Sequence, residues 1–240
     1  PGASLSQELR AQILQKAEGN PLYIREVVQS LLESGMLLQD RKARVEEDHL
    51  RIPDSLHALL VSRMDHLSEP GRRTLQVASV IGRSFSAQVL ERVLDEEVDL
   101  PAQMETFQRL NLIVPLNGDG QEYRFRHALA HEAAYRSIIT RQRKAYHRKV
   151  GEVFEAIAGR RPESQAALVA YHYEMAGDER AYHFYRLAAA QAVRFFAHAD
   201  ALKYFNKALP YARDLPGDLL KIHEGRAQVY FFQGLFAQAR

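Results

Sequence analysis

The sequence predicts a mainly α-helical chain: short helical modules first, stacked helices after. Three observations carry that expectation. Apolar residues recur at helical spacing, behind capping residues, over most of the 240 positions. The clearest alternation of apolar and polar residues flanks one turn, Asn117-Gly118-Asp119-Gly120. Near the C-terminal end, small residues recur at a fixed offset, Ala189 and Ala201 against Ala227 and Ala239.

Taken in order, Ser4 and Gln7 make a capping box ahead of a helix striped by Leu9, Ile13 and Ala17. Gly19-Asn20-Pro21 breaks that helix, and Pro21 suits the first turn of the next. Ile24, Val27, Val28, Leu31 and Leu32 stripe this second helix up to Gly35. Residues 36–38 and 43–45 are expected to pair as a small hairpin. Asp54 is the expected N-cap of a helix carrying Leu56, Leu59, Leu60 and Met64. Ser68-Glu69-Pro70 opens the next, with Leu75, Ala78 and Ile81 leading to a stop at Gly82. Val89, Leu90, Val93 and Leu94 mark a further helix. Asp99 caps one that holds Met104, Phe107 and Leu110 and ends at Asn111. Residues 112–116 and 122–126 read as two strands joined by the turn. Several short helices followed by a two-stranded wing predict a winged helix.

The corner at residues 123–135 organises the chain. Tyr123 and Phe125 point to one side of a strand, Arg124 and Arg126 to the other. Ala128, Leu129, Ala133 and Ile138 then follow helical spacing, and His127 sits at the junction. From Thr140 onward the pattern is helical, broken at residues 159–162 and 176–178. Tyr185, Ala188, Ala189, Ala201, Phe205 and Ala208 alternate large and small as a tetratricopeptide unit requires. Their offset of about 38 residues to the next unit is near that repeat's period of roughly 34. The aromatic residues Tyr171, Tyr173, Tyr182, Phe184, Tyr185, Phe195 and Phe196 are expected to fill mostly the inter-repeat core.

Composition narrows the function classes. Net charge is +2, which favours neither nucleic acid nor an anionic membrane. Without cysteine there is neither a disulfide nor a thiolate metal site, so a reducing compartment, the cytoplasm, is expected. No apolar run approaches the roughly 20 residues that span a bilayer. The chain starts at Pro1 with no signal-peptide pattern, and is expected to be part of something longer. His127 and His131 lie four apart, but the glutamate follows the second histidine and no third ligand suggests itself, so no metal is expected. Arg141, Arg143, Lys144, Arg148 and Lys149 form a basic run, read first as a solvated helix face and second as a docking surface for phosphate or an acidic partner.

In combination, residues 19–24, 52–56, 78–82 and 125–129 resemble the signal-transduction ATPases with numerous domains, an AAA+-related class of switch proteins. The nearest subgroup places such an ATPase before tetratricopeptide repeats and an output domain such as a cyclase, kinase or DNA-binding module. The resemblance implies a helical lid over residues 1–50, a winged helix over 51–140 and truncated repeats over 141–240. It implies that Gly19 and Pro21, with Asn20 between them, meet the adenine and ribose of ADP or ATP in the intact protein. It also implies that His127 approaches the β-phosphate and holds a closed state. An acid often follows that histidine in the family; here Ala128 does, so no acid role carries over.

No G-x-x-x-x-G-K-[ST] stretch exists, and no glycine is followed by lysine. The expectation is therefore a non-catalytic control half. Its ATPase core would lie upstream in cis, its output domain in cis, and a protein or peptide partner on the repeats. Two alternatives stand beside it: a DNA-binding winged-helix regulator and a tetratricopeptide scaffold for peptides. DNA is disfavoured because the candidate recognition helix and its approach carry Asp95, Glu96, Glu97, Asp99 and Glu105 against Arg109.

Overall fold

Side chains that cap a backbone N–H decide where several of the helices begin. The computed structural model describes residues 7–33, 55–94, 98–117, 120–212 and 216–235. Within them are α1 (Gln7–Ala17), α2 (Pro21–Glu33), α3 (Leu56–Asp65), α4 (Glu69–Ile81), α5 (Ala87–Leu94) and α6 (Leu100–Arg109). The later helices are α7 (Ala128–Arg136), α8 (Thr140–Ala158), α9 (Ala166–Ala176), α10 (Arg180–Arg194), α11 (His198–Ala208) and α12 (Pro216–Phe232). The chain is therefore mainly helical, with one small sheet among the described residues. The Asn20 carboxamide oxygen accepts from the Leu22 amide at 3.0 Å, Ser68 accepts from Gly71, and Asp99 accepts from Ala102. At α3 the cap is Ser55, which accepts from Ala58, one residue beyond the expected Asp54. The hairpin expected over residues 36–45 and the tip of the turn at 118–119 lie outside the described residues.

The sheet has three strands rather than the expected two. β1 (Ser84–Ser86), β2 (Ile113–Pro115) and β3 (Glu122–Phe125) pair antiparallel in the order β1-β3-β2. In β1 only Phe85 is apolar, so three residues show no alternation to read; its ring finds Tyr123 and Phe125 of β3 at 5.9 and 5.8 Å. Tyr123 and Phe125 are buried while Arg124 and Arg126 are exposed, as their alternation requires.

Two apolar cores result. The first runs from Ile13 to Val150 and gathers α1 to α8 around Leu60, Leu75, Leu90, Phe107 and Phe125. The second gathers α9 to α12 around Tyr173, Tyr185, Ala189, Ala201 and Ile222. Phe154 of α8 packs against both. All six residues of the first repeat pattern, Tyr185 to Ala208, are buried. Small residues permit the close helix contacts: a Cβ on Gly151 would meet the Tyr173 ring at 2.9 Å, and one on Gly225 would overlap the Phe205 ring. Three expected core aromatics sit elsewhere, Tyr171 of α9 being 42% exposed. Phe195 and Phe196 are 72% and 76% exposed, because the chain turns between α10 and α11 there, with Phe196 at a φ of 57°.

Candidate functional site

The site grows from the face that α2 buries. Tyr23, Glu26, Val27 and Leu31 point inward, while Ile24 and Val28, expected in the stripe, are only half-buried. That rotation brings a carboxylate into the interior. Glu26 is 2% exposed, and burying an isolated charge there is costly, so partners must reach it. Arg63 of α3, 5% exposed, places Nη1 2.9 Å from Glu26 Oε2 and donates through Nη2 to the Glu26 carbonyl at 3.3 Å. His127 brings Nε2 to 3.1 Å from Glu26 Oε1.

His127 occupies the N-cap position of α7 with extended backbone, and its side chain makes no cap bond. It turns instead into the seam with α2. Its Nε2 is buried and lies off the alignment a hydrogen bond needs, so distance rather than geometry couples it to Glu26. Burial pushes the Glu26 carboxyl up, but Arg63 and His127 outweigh that and hold it below the ordinary value. Burial pushes His127 down; Glu26 pulls the other way, and the Arg25 and Arg126 charges push it further down. The imidazole is therefore neutral near pH 7. Two arginines, Arg25 and Arg63, reach that carboxylate, while Arg126 acts on His127 and donates to the Asn111 carboxamide oxygen at 2.7 Å. The site is electropositive.

Gly19, Asn20 and Pro21 are exposed at the start of the same helix. Asn20 is engaged as the α2 cap, which leaves its carboxamide oxygen on its own backbone. Gly19 has a φ of 81°, and no atom stands within 4 Å of where its Cβ would be. The structure thus places all four candidate residues on or against α2, with His127 in contact and the turn at the helix's exposed end. Sequence reasoning missed Glu26 and Arg63. The available signal was the run Tyr23, Val27, Leu31 at helical spacing, which puts position 26 on the inward face.

A second buried cluster lies further along the chain. His131 Nε2 is 2.9 Å from the Ser79 carbonyl, its ring packed between Phe125 and Tyr135. Tyr135 Oη is 2.9 Å from His147 Nε2, and His147 Nδ1 is 3.0 Å from His172 Nδ1. His147 and His172 are 1% and 0% exposed. Burial, with Arg143 nearby, lowers His147 to about 4; burial, with His147 nearby, lowers His172 to about 3. Both are neutral. The Nε2 of His172 is buried with no hydrogen-bond partner among the described residues. An orphaned acceptor is tolerated better than an orphaned N–H, so His172 carries its proton on Nδ1 and donates to His147, which donates to Tyr135.

Among the described residues no group of three or more metal-ligating side chains comes together. The basic run on α8 is partly engaged. Arg148 pairs with Asp178 at 3.2 Å, Arg143 lies over the Tyr135 ring at 5.1 Å, and Lys149 also has a partner. A cleft of about 420 Å³ beside the sheet, lined by Gln88, Glu91, Leu100, Met104, Gln121 and Tyr123, shares no residue with the Glu26 cluster. No described helix is long and apolar enough to cross a membrane.

Residues 2–46 match a family described as a domain of unknown function, DUF8739. That segment contains α1, α2 and the turn between them, and so includes Glu26. No curated protein matches the chain.

Proposed function

We propose that this chain is the non-catalytic control portion of a nucleotide-dependent signalling ATPase: a helical lid, a winged helix with a small β wing, and tetratricopeptide-like repeats. In this reading an ATPase core and an output domain lie elsewhere in the same protein. The ADP or ATP state of that core biases how lid and winged helix meet, and the repeats present a surface to a protein or peptide. The observation that carries it is the contact of His127 with Glu26, which joins the strand-to-helix corner to α2 across about 100 residues of sequence. A side chain at that seam feels any change in the angle between the two elements.

The nucleotide fit rests on the chain's own groups. A buried imidazole nitrogen without an aligned hydrogen bond and three nearby arginines suit a phosphate. The open space over Gly19 suits close approach by a flat group. Bound there, the nucleotide would supply negative charge at the seam. His127 would hold it by Nε2, and Gly19 and Pro21 would border it at the start of α2. Direct DNA reading by the winged helix is the weaker alternative, since α6 carries Glu105 beside Arg109 behind its Asp99 cap, and part of the α8 basic run is engaged internally.

The test is the ADP off-rate, beside basal output, in the protein containing its ATPase core. One hydrogen bond to a charged phosphate contributes about 1.5–3 kcal/mol, roughly a 10- to 150-fold change. His127→Ala is expected to speed ADP release and raise output. His131→Ala, whose imidazole faces the Ser79 carbonyl, is expected to do neither. An unchanged off-rate for His127→Ala overturns the reading.

A further inference from the structure

Around Glu26 the structure already contains a filled anion subsite. Its two carboxylate oxygens face three groups: Oε2 accepts from Arg63 Nη1 at 2.9 Å, and Oε1 lies 3.1 Å from His127 Nε2 while accepting from Arg25 Nη2 at 3.4 Å. A guanidinium and an imidazole converging on a pair of oxygens about one O–C–O span apart is also the geometry that holds two oxygens of a phosphate. The cationic groups outnumber the acid that neutralises them. Arg25, on the solvent side of the same helix, has Nη2 3.4 Å from Oε1 and a side chain 62% exposed. It is a partner the carboxylate already has and would keep if the other two groups left it. Arg63 Nε is itself buried and has no hydrogen-bond partner among the described residues, so the guanidinium has donor capacity beyond Glu26.

We propose that Glu26 is a built-in competitor: its carboxylate and the diphosphate of a nucleotide are alternative occupants of the Arg63–His127 pair. This rests on the proposed function and adds two things to it, a second phosphate ligand, Arg63, and a means of regulation. With Glu26 in place, α2, α3 and the α7 corner are tied together by a protein carboxylate. When a diphosphate takes Arg63 and His127, Glu26 is left with Arg25 alone and the tie between α2 and the corner runs through the ligand. The affinity of the seam for a nucleotide is then set by how strongly Glu26 competes.

The test is a titration of the 240-residue chain with inorganic pyrophosphate and, in parallel, ADP. It is read by calorimetry and by the histidine Cε1–H resonances, with His127 assigned from its loss in His127→Ala. Millimolar pyrophosphate is expected to move the His127 resonance and leave those of His147 and His172 in place. Glu26→Gln is expected to bind pyrophosphate at least about tenfold tighter than the natural sequence, since it removes a charge from the subsite. Adding Arg63→Met is expected to abolish that gain. The proposal is overturned if pyrophosphate leaves His127 unmoved, if Glu26→Gln binds no tighter, or if ADP binds the chain while pyrophosphate does not. Should Glu26→Gln fail to fold, the titration of the natural chain decides alone. In the protein with its ATPase core, ADP release that is faster in His127→Ala yet unaltered in Glu26→Gln removes the competition and leaves the proposed function standing. Release unaltered in both removes both.

Discussion

Where α2 meets the α7 corner, a carboxylate, a guanidinium and an imidazole are buried together. Where α8 meets α9, two imidazoles are buried behind a phenol with no formal charge among them. The first ties elements from distant parts of the sequence and the second ties three consecutive helices, α7 to α9, and both hide polar atoms from water. They do so under different constraints. The Glu26 cluster keeps its charges ionised by pairing them, so each member's state depends on the others and an outside anion can redistribute them. The His147–His172 pair holds its rings uncharged, because burial removes the water that would solvate a proton. It is insensitive to anions and sensitive to acid. One seam can be rearranged by a ligand; the other is a weld that only protonation opens.

The largest effect should come from leaving one charge of the first cluster alone. Glu26→Ala strands Arg63 in the interior, and removing one partner of a buried ion pair costs about 3–5 kcal/mol. Urea unfolding of that variant against Glu26→Leu with Arg63→Met should show the double variant recovering much of the loss. If both variants lose equally, packing rather than charge pairing holds the seam.

Acid should separate the two clusters. The folded-state values of His147 and His172, about 4 and about 3, lie below the unfolded value of 6.5, so the unfolded chain binds more protons as pH falls. Stability from this pair is fully present above pH 6.5 and is lost as pH drops toward 4 and 3. Between pH 7 and pH 5 the loss should be on the order of 3 kcal/mol. His127, also lowered, adds in the same direction. Glu26 is the opposite case. Its value lies below the ordinary carboxylate value, so its contribution is present above that ordinary value and is lost only below it. Unfolding free energies at pH 7, 6 and 5 for the natural chain and His172→Phe should diverge, the variant being flatter. Parallel lines would show the pair to be solvated.

Tyr135→Phe should cost about 1 kcal/mol, the net value of one neutral hydrogen bond, and should leave His147 Nε2 without its phenol. A loss above 3 kcal/mol would show that the relay acts as one unit rather than as separate bonds. The smallest effect belongs to Arg136→Ala, which breaks an exposed i,i+4 pair with Glu132 on α7. At most about 0.5 kcal/mol is expected in thermal unfolding.

Helices were the most legible part of the sequence. Ser68, Asp99 and Asn20 announce helix starts by local bonds that need no distant partner, and Asn111 takes the left-handed conformation its side chain tolerates, at a φ of 55°. β2 and β3 were legible for the same reason, since a turn and alternation act over a few residues. β1 was not, because a strand of three residues exists only when β3 lies beside it. On α7 the helix was legible but its inward face only in part. Of the expected stripe Ala133 and Ile138 are buried, whereas Ala128 and Leu129 are exposed and Ala130 and Ala134 are buried in their place.

By itself, then, the sequence determined what local forces decide: helix positions, caps, breaks at Gly159 and Gly177, and His127 at a strand-to-helix junction. Packing of the whole chain chose between the two faces that the α2 pattern offered, Tyr23 with Val27 and Leu31 over Ile24 with Val28, and so turned Glu26 inward. It also decided that Arg63, 37 residues away, and His127, about 100 away, would share that carboxylate, and that His147 and His172 would be sealed together. The physical reason is range. Capping and periodicity act over one or two turns of chain, whereas desolvation depends on everything that closes around a group. Glutamate, arginine and histidine read as surface residues until a fold removes their water.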